Sequence, residues 1–386
     1  MKIIFITNYL SAHQAPLCNA LYKVLGDDFS FISLGKIGEA RIKLGMPDLQ
    51  YDYIIEADNQ SPISEYIVDL IDNADTVICG NCPDSLIKNR LKKGKLTFKY
   101  VERLYKTNSG IKKNVRTLIG TYIHYIRYLK YPFYVLCASA YTAGDINRFF
   151  WFKERSFVWG YFPQCIKYED IDTVINSKNK NSMLWVGRFL DWKHPEIPVL
   201  IANRLKKAGY IFDLNIAGMG EMEEHIKKLI DENNLNDCVH LLGSVKNNDV
   251  RCLMEKSEIF LFTSDFQEGW GAVLNEAMNS ACVCFASHAI GSAPFLIDDQ
   301  RNGILFENEN LDDLYNKLCN LLDNSQTKRE IAKNAYETIT SGWSEEIAAS
   351  RLIRLCEQLD KNKKTPFKNG LCSISPLLEN DWYTDK

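Results

Sequence analysis

Two carboxylates stand eight positions apart in Ser264-Asp-Phe-Gln-Glu-Gly-Trp-Gly-Ala-Val-Leu-Asn-Glu276. The stretch joins the end of an apolar strand, Ile259 to Thr263, to a glycine-punctuated loop and then a helix. Gly269 and Gly271 let backbone approach a ligand closely, and the helix start offers free N–H groups to an anion. Glu268 would hold sugar hydroxyls there, the backbone a diphosphate, and Glu276 the hydroxyls of a ribose. Two glutamates at a fixed spacing carry little by themselves. The strand, loop and helix around them give the pair its weight.

Elements able to position such a site recur along the whole chain. Short apolar runs such as Ile3–Thr7, Thr76–Cys79, Phe133–Ala138, Met183–Val186, Phe212–Ala217 and Cys282–Ala286 alternate with amphipathic segments. Leu17, Ala20, Leu21, Val24 and Leu25 form one helical face. Alternation of strand and helix implies an α/β fold with parallel sheets and right-handed crossovers. At 386 residues the chain is long enough for two cores. The expected organisation is an N-terminal Rossmann-like domain over 1–162, a polar linker over 163–182 and a second Rossmann-like domain over 183–343. A closing or crossover helix over 344–360 and a polar, poorly packed tail over 361–386 complete it. The two domains are expected to face each other across a cleft, with ligands beyond the carboxyl ends of the strands.

The element around Glu268 and Glu276 resembles the E-x7-E signature of retaining, nucleotide-sugar-dependent glycosyltransferases of the GT-B fold, family 4. Met183-Leu-Trp-Val-Gly-Arg-Phe-Leu-Asp-Trp-Lys193-His resembles that family's first strand of the second domain, ending in Gly-Arg and followed by Lys. Leu214-Asn-Ile-Ala-Gly-Met-Gly220 and Val239-His-Leu-Leu-Gly-Ser-Val245 are similar to its next two strand-and-glycine units. The resemblance covers roughly residues 183 to 306. It implies that Arg188 and Lys193 stabilise the departing diphosphate in place of a metal ion, since charge develops on the β-phosphate as the bond breaks. It further implies that Glu268 contacts the donor sugar and Glu276 the ribose. Gly269, Trp270, Gly271, Ala272, Val273, Gly218, Gly243, Ser244 and Val245 would complete the donor contacts.

Three departures from the family pattern bear on the acceptor side. The loop Asn8-Tyr-Leu-Ser-Ala-His-Gln-Ala-Pro16 lacks the glycine pair common there, which leaves His13 as an acceptor contact or a helix cap. Phe98-Lys-Tyr-Val-Glu-Arg103 places Glu102 and Arg103 where a His is often found, Glu102 as a catalytic candidate and Arg103 as an acceptor contact. Gly291-Ser-Ala-Pro-Phe lacks the usual acid, so sugar choice at that wall is open. Asp170 and Asp172 form the one Asp-x-Asp pair, in the linker and away from a strand end, so no metal site is assigned. Cys79-Gly-Asn-Cys82 is read as a strand end, without the second pair that a zinc site needs.

The net charge of −3 hides an uneven distribution. Between Ser85 and Tyr131 lie nine Lys and four Arg against one acid, Glu102, with six Tyr interleaved. Such a stretch suits an anionic membrane surface, with Tyr at the interface, and carries no nucleic-acid motif. No apolar run reaches eighteen residues, and Met1-Lys-Ile-Ile-Phe-Ile-Thr reads as a buried strand rather than a signal core. The twelve Cys lie mostly in strands and lack the spacing of a disulfide framework. A cytoplasmic enzyme, peripheral on the inner face of a membrane, is expected. Its partners would be a nucleotide-sugar and a saccharide or lipid-linked acceptor, with no resident cofactor. The alternatives are a nucleotide-sugar epimerase of the same fold and a non-catalytic sugar-nucleotide-binding subunit.

Overall fold

The computed structural model describes residues 1–36, 49–57, 63–106, 111–148, 151–152 and 154–383, apart from the side chains of 111–114. Contacts divide it into two compact units. The first is Met1–Gln164 with Trp343–Glu379, and the second is Cys165–Gly342 with the segment from Asn380.

In the first unit the strands are β1 (Ile3–Thr7), β2 (Phe29–Ser33), β3 (Ile54–Glu56), β4 (Thr76–Cys79), β5 (Leu96–Val101), β6 (Phe133–Cys137) and β7 (Ser156–Val158). They form one parallel sheet in the order β3-β2-β1-β4-β5-β6-β7. The second unit holds β8 (Asn179–Val186), β9 (Asp213–Ala217), β10 (Val239–Gly243), β11 (Ser257–Phe262), β12 (Val283–Ser287) and β13 (Ile304–Phe306). These are again all parallel, in the order β10-β9-β8-β11-β12-β13. Strand order reverses between β1 and β4 in one sheet and between β8 and β11 in the other. Such switch points are where open parallel sheets take ligands.

The central strands are buried on both faces, as in β1 and β12, whose residues are all inaccessible. Helices cover both sides of a sheet built this way, so its strands read as continuous apolar runs. Each unit has its own core. One centres on Ile4, Ile6, Val77, Phe133 and Val135, the other on Trp185, Ile201, Leu214, Leu261 and Phe285. Helices are stopped and started by local chemistry. Asn310 accepts the amides of Asp312 and Asp313 at 3.1 and 3.0 Å, and Ser344 accepts that of Ile347 at 3.4 Å.

Several expectations need correction. The 163–182 linker is structured, holding the helix Ile171–Asn176 and the start of β8. Its Asp-x-Asp pair is a helix cap. Asp170 accepts the Asp172 amide at 2.9 Å and the Thr173 hydroxyl at 2.6 Å, while Asp172 pairs with Arg329 at 2.7 Å. The tail also packs, apart from 384–386, which lie outside the described residues. Leu371 and Cys372 are fully buried. Cys372 donates to the Val158 carbonyl, Val158 to that of Ser373, and Ser375 to that of Ser156, all within 2.9 Å. The tail thus covers the outer edge of β7, where unpaired N–H and C=O groups would otherwise face solvent. Backbone bonds of this kind leave no apolar periodicity in the sequence. β3 went unread for a related reason, since two half-buried isoleucines and an exposed glutamate at a sheet edge make no run.

Candidate active site

The carboxyl ends of β8 and β11 bring the two strongest sequence signals together. After β8 the chain passes through Gly187 and Arg188 to a single 3-10 turn, Asp191–Lys193. After β11 it passes through Thr263 and Ser264 to the Glu268 loop. The Lys193 ammonium and the Glu268 carboxylate are in direct contact, with side chains only 15% and 10% exposed. Ser264 donates its hydroxyl to the same Glu268 oxygen at 3.0 Å. The ammonium also lies 4.6 Å from the Trp192 ring centre and 5.7 Å from that of Phe262. Behind the pair, Trp185 Nε1 donates to Thr263 Oγ1 at 2.9 Å, and that oxygen lies 2.8 and 3.0 Å from the carbonyls of Lys193 and His194. One hydroxyl therefore joins the two strand ends.

Close backbone approaches explain two glycines here. A Cβ on Gly218 would collide with the Gly187 carbonyl, so the β8 and β9 ends could not meet as they do. Gly271 has φ 84°, and a Cβ there would come 2.5 Å from the Phe262 ring. The helix Val273–Asn279 begins immediately after it, with Ala272 at the cap, whose side chain makes no capping hydrogen bond. Arg188 is exposed, and its guanidinium has no partner among the described residues. Glu276 is half-buried one turn into the helix. Its carbonyl accepts from Arg251 at 3.1 Å and Ser280 at 2.9 Å, while its carboxylate has no partner among the described residues. Gly243 accepts the Gly218 amide through its carbonyl at 2.8 Å, which sets Gly243, Ser244 and Val245 beside the β9 end.

Trp270 departs from its expected donor contact. Its indole is buried and donates to Asn275 Oδ1 at 2.9 Å, so the side chain serves packing. The Gly291 wall is tied to the same loop, as Gly291 and Ser292 donate to the carbonyls of Glu268 and Trp270 at 3.3 and 3.1 Å. Sequence reasoning missed Ser264, Thr263 and His194 as supports. Ser264 was visible four residues before Glu268, but a serine in a loop carries no signal until its rotamer is seen.

In the first unit, His13 and Glu102 gather around Tyr161 at the carboxyl ends of β1, β5 and β7. Tyr161 donates to Glu102 Oε1 at 2.8 Å, and its ring centre is 6.5 Å from that of His13. Lys106 holds the other Glu102 oxygen at 2.7 Å. His13 is not a cap, because Gln14 occupies that position. Arg103 does not face an acceptor. It is 5% exposed, pairs with buried Asp145 at 3.4 Å and lies over the Tyr141 ring at 4.5 Å. Asp145 also accepts the Leu104 and Tyr105 amides at 2.8 and 3.1 Å. Burial pushes the Asp145 carboxyl up, against the pull of Arg103 and those two amides. Arg103→Met should therefore cost about 3 kcal/mol by stranding that carboxylate. A denaturant titration checks it, and donor KM of the folded fraction should be unchanged.

Residues 167–338 match the family described as "Glycosyl transferases group 1". The matched segment contains Arg188, Lys193, Glu268 and Glu276. A curated relative is the poly(ribitol-phosphate) alpha-N-acetylglucosaminyltransferase of Staphylococcus aureus (strain COL), 28% identical over 170 residues, 44% of this chain and 34% of the relative. Another is the N-acetylgalactosamine-N,N'-diacetylbacillosaminyl-diphospho-undecaprenol 4-alpha-N-acetylgalactosaminyltransferase of Campylobacter jejuni, 31% identical over 156 residues, 40% of this chain and 41% of the relative. The chain thus spans less than half the length of either. Among solved structures, Anabaena Alr3699/HepE in complex with UDP superposes with TM-score 0.69 at 16% identity, covering 94% of this chain and all of that one. The fold shared with it is the GT-B architecture of two Rossmann-like domains.

Proposed function

We propose that the protein transfers a sugar from a nucleotide-sugar to a hydroxyl of a saccharide or lipid-linked acceptor, with retention at the anomeric carbon and without a metal ion. The observation that carries this reading is the buried Lys193–Glu268 pair at the β8/β11 switch point, beside unpartnered Arg188. A carboxylate held by an ammonium and a hydroxyl can orient sugar hydroxyls without drifting. An ammonium and a guanidinium set beside close-packed glycine backbone can take the charge that develops on a leaving diphosphate. The unpartnered Glu276 carboxylate supports ribose binding, as an acceptor of two hydroxyl hydrogens. His13, Tyr161 and Glu102 are the acceptor-side candidates. By their names, the relatives above act on a poly(ribitol-phosphate) and on a diphospho-undecaprenol-linked sugar, which favours a role in envelope or capsule polysaccharide assembly.

Peripheral contact with an anionic membrane belongs to the same proposal. Val115, Ile119, Tyr122 and Ile123 expose one face of the helix Ile111–His124, each at 38% or more. Nearby in the fold, Lys88, Lys92, Arg127, Lys130, Tyr128 and Tyr131 line a cavity of about 450 Å³ together with Asp84, which pairs with Arg127 at 3.1 Å. The basic set is smaller than the 85–131 composition suggests. Arg90 is fully buried on the carbonyls of Ala74, Asp75 and Leu96, Arg103 serves Asp145, and the side chains of Lys112 and Lys113 lie outside the described residues. Among the described residues no helix is long and apolar enough to cross a membrane.

The test is incubation with UDP-, GDP- and ADP-sugars, with and without saccharide acceptors, followed by product analysis. Release of nucleoside diphosphate with a new glycoside is expected. An altered sugar-nucleotide from donor alone would mark an epimerase, and absence of binding and turnover across the panel would sink the reading. Sedimentation with vesicles should retain the protein on anionic lipid and release it at high salt. Protein left in the supernatant would remove the membrane part.

A further inference from the structure

The turn that carries Lys193 takes a backbone shape that histidine seldom adopts. His194 has φ 50° and ψ 55°, in the left-handed region that favours glycine. Its imidazole is fastened at one nitrogen, with Nδ1 2.9 Å from Glu196 Oε1. Its other nitrogen lies 3.9 Å from Asp265 Oδ2. That Nε2 and the second Glu196 oxygen are both buried without a hydrogen-bond partner among the described residues. Asp265 is part of the Glu268 loop. Its amide donates to the Trp192 carbonyl at 3.0 Å, and its carbonyl accepts the Glu268 amide at 3.1 Å. His194 therefore touches both chain segments that present the Lys193–Glu268 pair.

We propose that His194 is a positioning residue, whose imidazole, bonded to Glu196 and facing Asp265, holds the Lys193 turn against the Glu268 loop. This rests on the transfer reading above and adds a pH dependence to it. The acids that face the ring are Glu196, Asp265 and, more distantly, Glu309, while the adjacent cation, Lys193, is engaged by Glu268. Burial disfavours the charged ring, but the three carboxylates together outweigh it and raise the His194 pKa above its usual value. A raised folded-state pKa places this contribution fully below the unfolded value of about 6.5. It is lost as pH climbs through the folded value. The left-handed backbone then remains, without the ionic contact that holds it.

The experiment compares wild type with His194→Asn, which tolerates left-handed backbone, and His194→Gly, which is at ease there. Both should fold. Their melting temperatures should fall furthest below wild type near about pH 6 and draw closer to it as pH rises. The kcat/KM for the donor should drop about tenfold on the acid side of the profile, with the difference from wild type shrinking at alkaline pH. A crystal structure of the Asn variant should show Lys193 and Glu268 parted. Coincident pH–stability profiles, or an Asn variant with the pair intact, would overturn the proposal. If the pair parts in the variant while wild type processes no sugar-nucleotide, the transfer reading fails and the positioning role stands.

Discussion

Glu268→Gln should keep its fold and lose about a thousandfold in transfer rate. The replacement is isosteric, so Ser264 can still donate to the side-chain oxygen at that place. What changes is the charge. An amide no longer answers the Lys193 ammonium, and its NH2 group offers donors where the sugar hydroxyls need an acceptor. Both defects act at the reacting centre and leave the packed strands beneath it alone. Circular dichroism should match wild type, while donor turnover falls to near background. A Gln variant that turns over at the wild-type rate would show that Glu268 is a structural carboxylate and that chemistry lies elsewhere.

Lys193→Met should lower turnover about a hundredfold and destabilise the protein by about 3 kcal/mol. Methionine keeps an apolar stem beside Trp192 and Phe262, so lost packing is small. The cost comes from Glu268, left nearly buried with Ser264 as its remaining side-chain partner. Arg188→Ala is the contrast within the same proposed phosphate-binding role. Its exposed, unpartnered guanidinium can be removed with a stability change inside about 0.5 kcal/mol, yet turnover should fall comparably. Chemical denaturation alongside steady-state kinetics separates the two. If Lys193→Met and Arg188→Ala lose the same stability, the buried pair is not what the geometry indicates. Combined with Glu268→Gln, the Lys193 change should add little further loss in turnover, because the two side chains act as one unit.

Much of this site was legible before any coordinate. Both sheets announced themselves because parallel strands buried on two faces read as unbroken apolar runs, and each motif followed such a run. Glu268, Arg188, Lys193 and Glu276 stood out through their distance from a strand end. Arg103 and Trp270 misled for the opposite reason. A charged or aromatic residue beside a motif looks functional on the page, and only its burial shows Arg103 spent on Asp145 and Trp270 on Asn275. The tail and β3 were illegible because backbone bonds to an edge strand require no particular side chains.

Local sequence determined which segments are strands, which loops carry glycine and which side chains stand at the strand ends, since these follow from the pattern over a few neighbouring residues. Tertiary structure alone decided that Lys193 and Glu268, 75 positions apart, share one contact. It also decided that His194 is bent into a left-handed turn between Glu196 and Asp265. Parallel order inserts β9 and β10 in the chain between neighbours β8 and β11. The residues that meet at that seam are therefore distant in sequence, and no short-range pattern records their pairing.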